Sequence, residues 1–451
     1  MTTATKYKTY SKYKPSGIDW LGDIPAGWEV KDLKYLLDRN DGGVWGEDFD
    51  DEGTPVLRST EIDISGEWRL DEFAKRKLTP QEKQKALLKE GDLLITKSSG
   101  SELHIGKTAL VNKEIDELEC CFSNFMQRLR PNKGVSSKLL FYFFNSYIAR
   151  EQYNYFSQST TGLANLSEGL FGQIIFVKIP ESEQKQIVTF LERETAKIDE
   201  MVAKKQKMID LLKEKRQALI THAVTKGLDP KAKMKPSGID WLGDIPAGWE
   251  VKDLKYLLDR NDGGVWGEDF DDEGTPVLRS TEIDISGEWR LDEFAKRKLT
   301  PQEKQKALLK EGDLLITKSS GSELHIGKTA LVNKEIDELE CCFSNFMQRL
   351  RPNKGVSSKL LFYFFNSYIA REQYNYFSQS TTGLANLSEG LFGQIIFVKI
   401  PESEQKQIVT FLERETAKID GMMKKVEMQI EKLQEYRQAL ITNAVTGKIK
   451  V

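Results

Sequence analysis

The 451-residue sequence predicts a mixed α/β chain. Two identical globular domains are separated by two long helices that form an antiparallel coiled coil, with pseudo-twofold symmetry. Three observations predict this. First, Lys14 to Asp199 recurs without a single change as Lys235 to Asp420, 221 positions later. Solenoid units repeat every ~20–50 residues, so this repeat is a whole domain written twice. Second, each copy mixes short β-rich runs and polar loops with a bulky apolar helix. Third, Leu191, Ile198, Lys205, Leu212 and Leu219 recur every seven residues, as do Leu412, Ile419, Val426, Leu433 and Leu440. A seven-residue apolar repeat marks a coiled-coil seam.

The identity between the copies stops abruptly at Asp199 and Asp420. Beyond it the two helices differ at many positions yet keep their pattern, which points to one domain having been copied over the other. The chain is too long for one ordinary core and suits two domains with connectors. Its charge, −3 with a pI near 6.0, lacks the basic excess of a stand-alone nucleic-acid binder. No apolar run is long enough to cross a membrane and no signal peptide opens the chain, so the expectation is a cytoplasmic protein without a membrane partner. Cys120-Cys121 and Cys341-Cys342 are neighbours in sequence, a spacing that fits neither a disulfide nor a zinc site, and read as buried reduced thiols.

Taken in order, residues 1–14 read as a frayed or loosely docked tail. The first domain spans 15–180. It opens on a turn-rich lead-in, Pro15 to Trp28, with two tryptophans as aromatic anchors. Glu29 to Leu37 shows helical spacing. Thr54–Arg58, Asp92–Thr96, Thr108–Val111 and Cys121–Arg130 read as strands, and Ser137–Ser146 as a core helix. A first spacer helix covers 181–226, with Ser182 as its expected N-cap and Glu183 in the first turn beside the positive helix end. Met201, Met208 and Met422 are expected to add alternate seam positions. Gly227 and Pro230 supply a helix exit into the linker 227–235. The second domain (236–401), second helix (402–446) and a tail (447–451) follow. Two such helices most simply pair with each other; heptads alone leave open the alternative that each pairs with another protein. Lys205 stands where the second helix has Val426, and is expected to snorkel outward, set the register or face a partner.

Signals for catalysis are sparse. There is no glycine-rich phosphate or dinucleotide loop and no nucleophile elbow, and the only histidines are His104, His222 and His325, too few for a His-rich metal site. The polar loops suit recognition instead. Lys97, Ser98, Ser99, His104 and Lys107 lie in a loop of small hydrogen-bonding residues that lets backbone approach phosphate, and Arg58 closes a strand. An ordinary hairpin loop is the bland alternative. Gln127 and Arg128, with Asn124 and Arg130, lie on or beside a strand; Asn and Gln suit adenine edges and Arg suits guanine, although strand alternation turns about half of them inward. Thr160, Thr161 and Asn165 belong to a second polar loop. The copies are Arg279, Lys318, Ser319, Ser320, His325, Lys328, Gln348, Arg349, Thr381, Thr382 and Asn386. Glu47 to Glu52 reads as a solvated acidic loop and Lys75-Arg76-Lys77 as a solvated basic cluster.

Several segments together resemble the specificity subunit of type I restriction-modification systems. They are Ile18 to Val30, Gly91 to Ser98, Ser159 to Ser167, the helix start Ile179 to Gln184, and the ending Ala439 to Gly447. The resemblance covers nearly the whole chain, including its domain–helix–domain–helix order. It implies two target-recognition domains, each reading half of a split site in double-stranded DNA, and a helical spacer that docks two methyltransferase subunits. It also implies that catalysis belongs to the partners. The methyltransferase subunits use S-adenosylmethionine, motor-nuclease subunits use ATP and Mg, and this chain binds no cofactor or metal and is not an enzyme. Family members normally carry two different domains. Identical ones imply identical half-sites on opposite strands, an interrupted palindrome. The remaining readings are a coiled-coil scaffold that binds proteins only, and a self-sufficient DNA-modifying enzyme. In the cell the chain is expected in the cytoplasm, associated with the nucleoid.

Overall fold

The chain divides into two units, residues 1–206 with 428–451, and residues 207–427. The structure is a computed structural model that describes residues 7–48, 53–71, 73–99, 104–157, 164–269, 274–320, 325–378 and 385–451. Each unit holds one globular domain and segments of both long helices, Glu181–Lys226 and Glu402–Val445.

In the first unit an antiparallel sheet of four strands runs Thr108–Leu110, Leu93–Thr96, Met126–Pro131, Leu37–Gly42. Leu93 to Thr96 is buried along its whole length, because the sheet is covered on both faces. Leu93, Ile95 and Leu129 join one core, and Leu94, Ala109 and Met126 join another. A strand buried on both sides has no polar face to alternate, so it reads as a continuous apolar run. The first core is closed by the helices Ser137–Phe144 and Tyr147–Ser157, with Phe143 edge-on to Phe176 at 4.9 Å. The second core lies beneath a smaller sheet in which Cys121–Phe122 runs parallel to Thr54–Leu57.

The segment read as a helix at Glu29 to Leu37 is a strand, Glu29–Asp32, followed by a 3-10 turn, Leu33–Tyr35. Leu33 and Leu36 are both buried, and three-residue spacing is the period of a 3-10 turn as much as of an α-helix face. The run Cys121–Arg130 is two strands, not one. A turn in which Met126 N–H donates to Ser123 O carries the chain from the small sheet to the large one. The long helix begins at Glu181, and Pro180 O accepts from Glu183 and Gln184 N–H. Ser182 therefore lies inside the first turn and does not cap it.

The N-terminal segment is docked from Tyr7 onward, not frayed. Tyr10 Oη donates to Glu183 Oε2 at 2.8 Å, Tyr13 Oη donates to Gly447 O at 3.0 Å, and Lys8 forms a β-bridge with Lys450. Glu183 also accepts from Trp28 Nε1 at 3.4 Å, so one carboxylate anchors the tail and the lead-in to the helix.

Within each unit the helix segments run antiparallel. In the first, Lys205 Nζ donates to Gln429 Oε1 at 2.5 Å and Arg437 Nε to Asp199 Oδ1 at 2.9 Å. In the second, Arg216 Nε donates to Asp420 Oδ1 at 3.0 Å. Leu191, Ile198, Leu212, Leu412, Ile419, Val426 and Leu440 are buried, with Leu219 and Leu433 partly so. The alternate seam positions are not the methionines. Met201, Met208 and Met422 are exposed, whereas Thr195, Ile209 and Thr416 are buried. A heptad seam alternates steps of four and three, so Leu191, Thr195 and Ile198 continue to Val202, and Met201 falls one residue off the stripe.

Both helix exits use a left-handed glycine. Gly227 has φ 80° and a Cβ there would lie 3.2 Å from Trp249; Gly447 has φ 73° and a Cβ there would lie 2.4 Å from Pro25 and 2.9 Å from Trp28. A lysine beside each donates into the lead-in. Lys226 Nζ reaches Leu242 O at 2.9 Å and also Asp244 O, and Lys448 Nζ reaches Leu21 O at 2.7 Å and Asp23 O at 2.5 Å.

Candidate nucleic-acid interface

The loop singled out in the sequence is closed at its root by backbone bonds across it. Thr96 N–H donates to Lys107 O at 2.9 Å and Gly106 N–H to Thr96 O at 2.8 Å. Its first arm, Ser98–Ser99, pairs antiparallel with Ala164–Asn165, and Leu166 N–H donates to Lys97 O at 2.8 Å. The two polar loops are thereby joined at their bases. Thr160, Thr161, Thr381 and Thr382 lie outside the described residues, and of Asn165 and Asn386 only the backbone is described. His104 and His325 are exposed at the other arm.

Lys97 is half-buried, and desolvation holds its ammonium below the ordinary lysine range, opposed by the nearby Glu168 carboxylate. Gly42 makes room for it, since a Cβ there would sit 2.8 Å from Lys97 Nζ. Lys318 repeats this against Gly263. A cation held partly out of water gains more from an arriving phosphate than a fully hydrated one. Arg58 holds its guanidinium at the surface through buried Glu61, with Nη2 at 2.8 Å from Oε1; Arg279 and Glu282 repeat the pair.

Other candidates are committed to the interior. Arg128 is 0% exposed; it pairs with both Asp41 carboxylate oxygens at 2.9 and 2.6 Å and donates to Leu87 O and Lys85 O, each at 2.7 Å. Arg349 makes the same bonds to Asp262, Leu308 and Lys306. Gln127 and Gln348 are buried, and their amide nitrogens donate to Asn40 and Asn261 at 2.7 Å. Lys107 is buried too. Its Nζ donates to Ser59 O at 2.5 Å and Ile62 O at 2.6 Å, as Lys328 does to Ser280 and Ile283, and burial lowers both lysine pKa values. These side chains tie loops to the sheet. The strand carrying Gln127 and Arg128 has a core on each face, so neither parity of the alternation points to solvent.

The basic cluster is only partly a solvated face. Arg76 is nearly buried, lies 3.7 Å over the Trp45 ring and pairs with Asp48 of the acidic run. Sequence reasoning also missed Phe125. It is 52% exposed on the turn between the sheets, and its carbonyl accepts from Lys97 N–H at 3.1 Å and Ser98 N–H at 3.4 Å. The signal available was the break in alternation at Ser123-Asn124-Phe125. Among the described residues no group of three His, Cys, Asp or Glu side chains is placed to hold a metal ion, and no helix is long and apolar enough to cross a membrane. What the rim offers is hydrogen bonding, partly desolvated cations and one exposed ring, which is chemistry for recognition.

The family described as "Type I restriction modification DNA specificity domain" matches residues 25–210 and again 246–432. The chain is 24% identical over 437 residues to the type I restriction enzyme EcoKI specificity subunit of Escherichia coli K12, covering 95% of this chain and 90% of that one. It is 23% identical over 444 residues to the MjaVIII specificity subunit of Methanocaldococcus jannaschii, covering 95% and 94%. In fold it is similar to a solved chain described under complex assembly and conformational transition of the type I R-M system. The TM-score is 0.68 at 17% identity, over 94% of this chain and 99% of that one.

Proposed function

Because the chain belongs to the family of type I restriction-modification DNA specificity domains and is a specificity subunit of that kind, we propose that it reads a bipartite, palindromic target in double-stranded DNA. Each domain takes one half-site, and two methyltransferase subunits dock on the chain. Chemistry stays with the partners: S-adenosylmethionine-dependent adenine methylation with the methyltransferase subunits, and ATP- and Mg-dependent cleavage with the motor-nuclease subunits. The chain contributes recognition, through Lys97, Ser98, Ser99, Arg58, His104 and the joined polar loops, with their copies. It works in the cytoplasm, on the nucleoid.

The observation that carries the palindromic reading is the pair of identical domains, and each unit repeats one ion pair between its helix segments. Arg437 meets Asp199 in one unit and Arg216 meets Asp420 in the other, the same contact with the two copies exchanged. Identical readers take identical half-sites, and a palindrome supplies these as the same sequence on opposite strands. The test is to map methylated adenines across a genome with the partner subunits present. An interrupted palindrome is expected, and two unlike half-sites would reject the reading.

A further inference from the structure

A second surface lies on the helix that precedes the second polar loop and on the lead-in turn. In the second copy the helix Tyr368–Ser378 and the lead-in turn enclose an open cavity of about 720 Å3. Tyr368, Glu372 and Tyr376 stand on successive turns of one helix face, as four-residue spacing dictates. Trp241 faces them from the lead-in, positioned by the buried Leu242 beside it. These three rings are 50–75% exposed. So many large aromatic surfaces lining one cavity mark a binding face more often than chance exposure. Trp20, Tyr147 and Tyr155 are exposed to the same degree in the first copy.

The floor of the cavity is already satisfied. Gln373 Nε2 donates to Ile396 O at 3.1 Å, and its Oε1 accepts from Ile396 N–H at 2.7 Å. Among the described residues that line the cavity there is one carboxylate, Glu372, and no cation. In the first copy the equivalent Glu151 accepts a hydrogen bond from the Tyr147 hydroxyl, which raises that phenol's pKa. Aromatic faces carry negative potential, so three rings around a carboxylate attract a cation and repel phosphate. The charge therefore selects a protein over a nucleic acid.

We propose that the Trp241–Tyr368–Tyr376 groove, and its Trp20–Tyr147–Tyr155 copy, docks an arginine-bearing segment of a partner protein, with the guanidinium stacked on the rings and paired to Glu372 or Glu151. The full chain labelled with 5-fluorotryptophan tests it by fluorine NMR, the groove signals being assigned with Trp20→Phe and Trp241→Phe. The probe is the peptide acetyl-Gly-Arg-Gly-Arg-Gly-amide, compared with its citrulline analogue and with a twelve-residue oligothymidine. The arginine peptide is expected to shift the groove signals saturably, while the citrulline peptide and the oligonucleotide leave them in place. Glu151→Gln with Glu372→Gln is expected to weaken the peptide at least ~5-fold, and Tyr155→Ala with Tyr376→Ala to do the same while the melting temperature holds. Equal binding of the citrulline peptide, a shift with the oligonucleotide, or no saturable shift would each overturn the assignment. None of these outcomes depends on which DNA sequence the chain reads.

Discussion

Arg437 Nε donates to Asp199 Oδ1 at 2.9 Å and Nη2 to Oδ2 at 3.4 Å, a two-pronged bond from one long helix to the other. The aspartate is about half exposed, so water screens the pair; exposed pairs contribute about 0.2–1 kcal/mol. Asp199→Asn with Asp420→Asn is expected to lower the thermal midpoint slightly, with an effect that fades in high salt. Leu191→Ala, at a fully buried seam position, is expected to cost about 2–5 kcal/mol in chemical denaturation. A larger loss from the aspartates than from Leu191 would contradict the apolar seam as the main adhesive.

Arg128→Ala separates structure from recognition. It strands the Asp41 carboxylate and frees two carbonyls, and breaking a buried pair costs about 3–5 kcal/mol. The variant is expected to lose domain stability in urea. Target preference should be retained at temperatures where the domain stays folded, as read by fluorescence anisotropy against matched and mismatched duplexes.

Lys97→Ala with Lys318→Ala addresses the rim. Each lysine that meets a phosphate adds about one unit to the slope of log affinity against log salt, so the double variant should flatten it by about two. Phe125→Ala with Phe346→Ala removes no charge. It is expected to weaken binding with the salt slope intact. Titrations at several salt concentrations distinguish the two.

The cysteines give a pH-dependent readout. Burial pushes the Cys120 thiol up to about 12 and Cys121 to about 11, from an ordinary value near 9.0. A raised folded-state pKa means that the native protein holds its proton where the unfolded chain has lost it. The stabilisation is complete below about pH 9 and is lost as pH rises toward 12. Native protein at pH 8 should react slowly with a thiol reagent, and unfolded protein with all four thiols at once.

Much of this architecture was legible because it rests on periodicity. Leu191 and Ile198 announced the seam, and the apolar run at Leu93 announced a strand. What failed shares one cause, the absence of three-dimensional cover from a linear pattern. Arg128 looked like a base reader because alternation implies an outer face, and that strand has none. Leu33 and Leu36 looked helical because two kinds of turn share a three-residue step. Lys97 and Ser98 are candidates that composition alone singles out. Phe125 was overlooked because one aromatic inside a β-rich run resembles core.

The two helix exits place their glycine and lysine in opposite order, Lys226-Gly227 against Gly447-Lys448, yet both ammonium groups tether the same lead-in carbonyls. A residue-by-residue alignment scores these junctions as mismatched, although the geometry treats them as synonyms. Grafting a foreign domain onto either helix therefore calls for conserving a pair of roles, a left-handed hinge and a tethering amine, with the spelling left free.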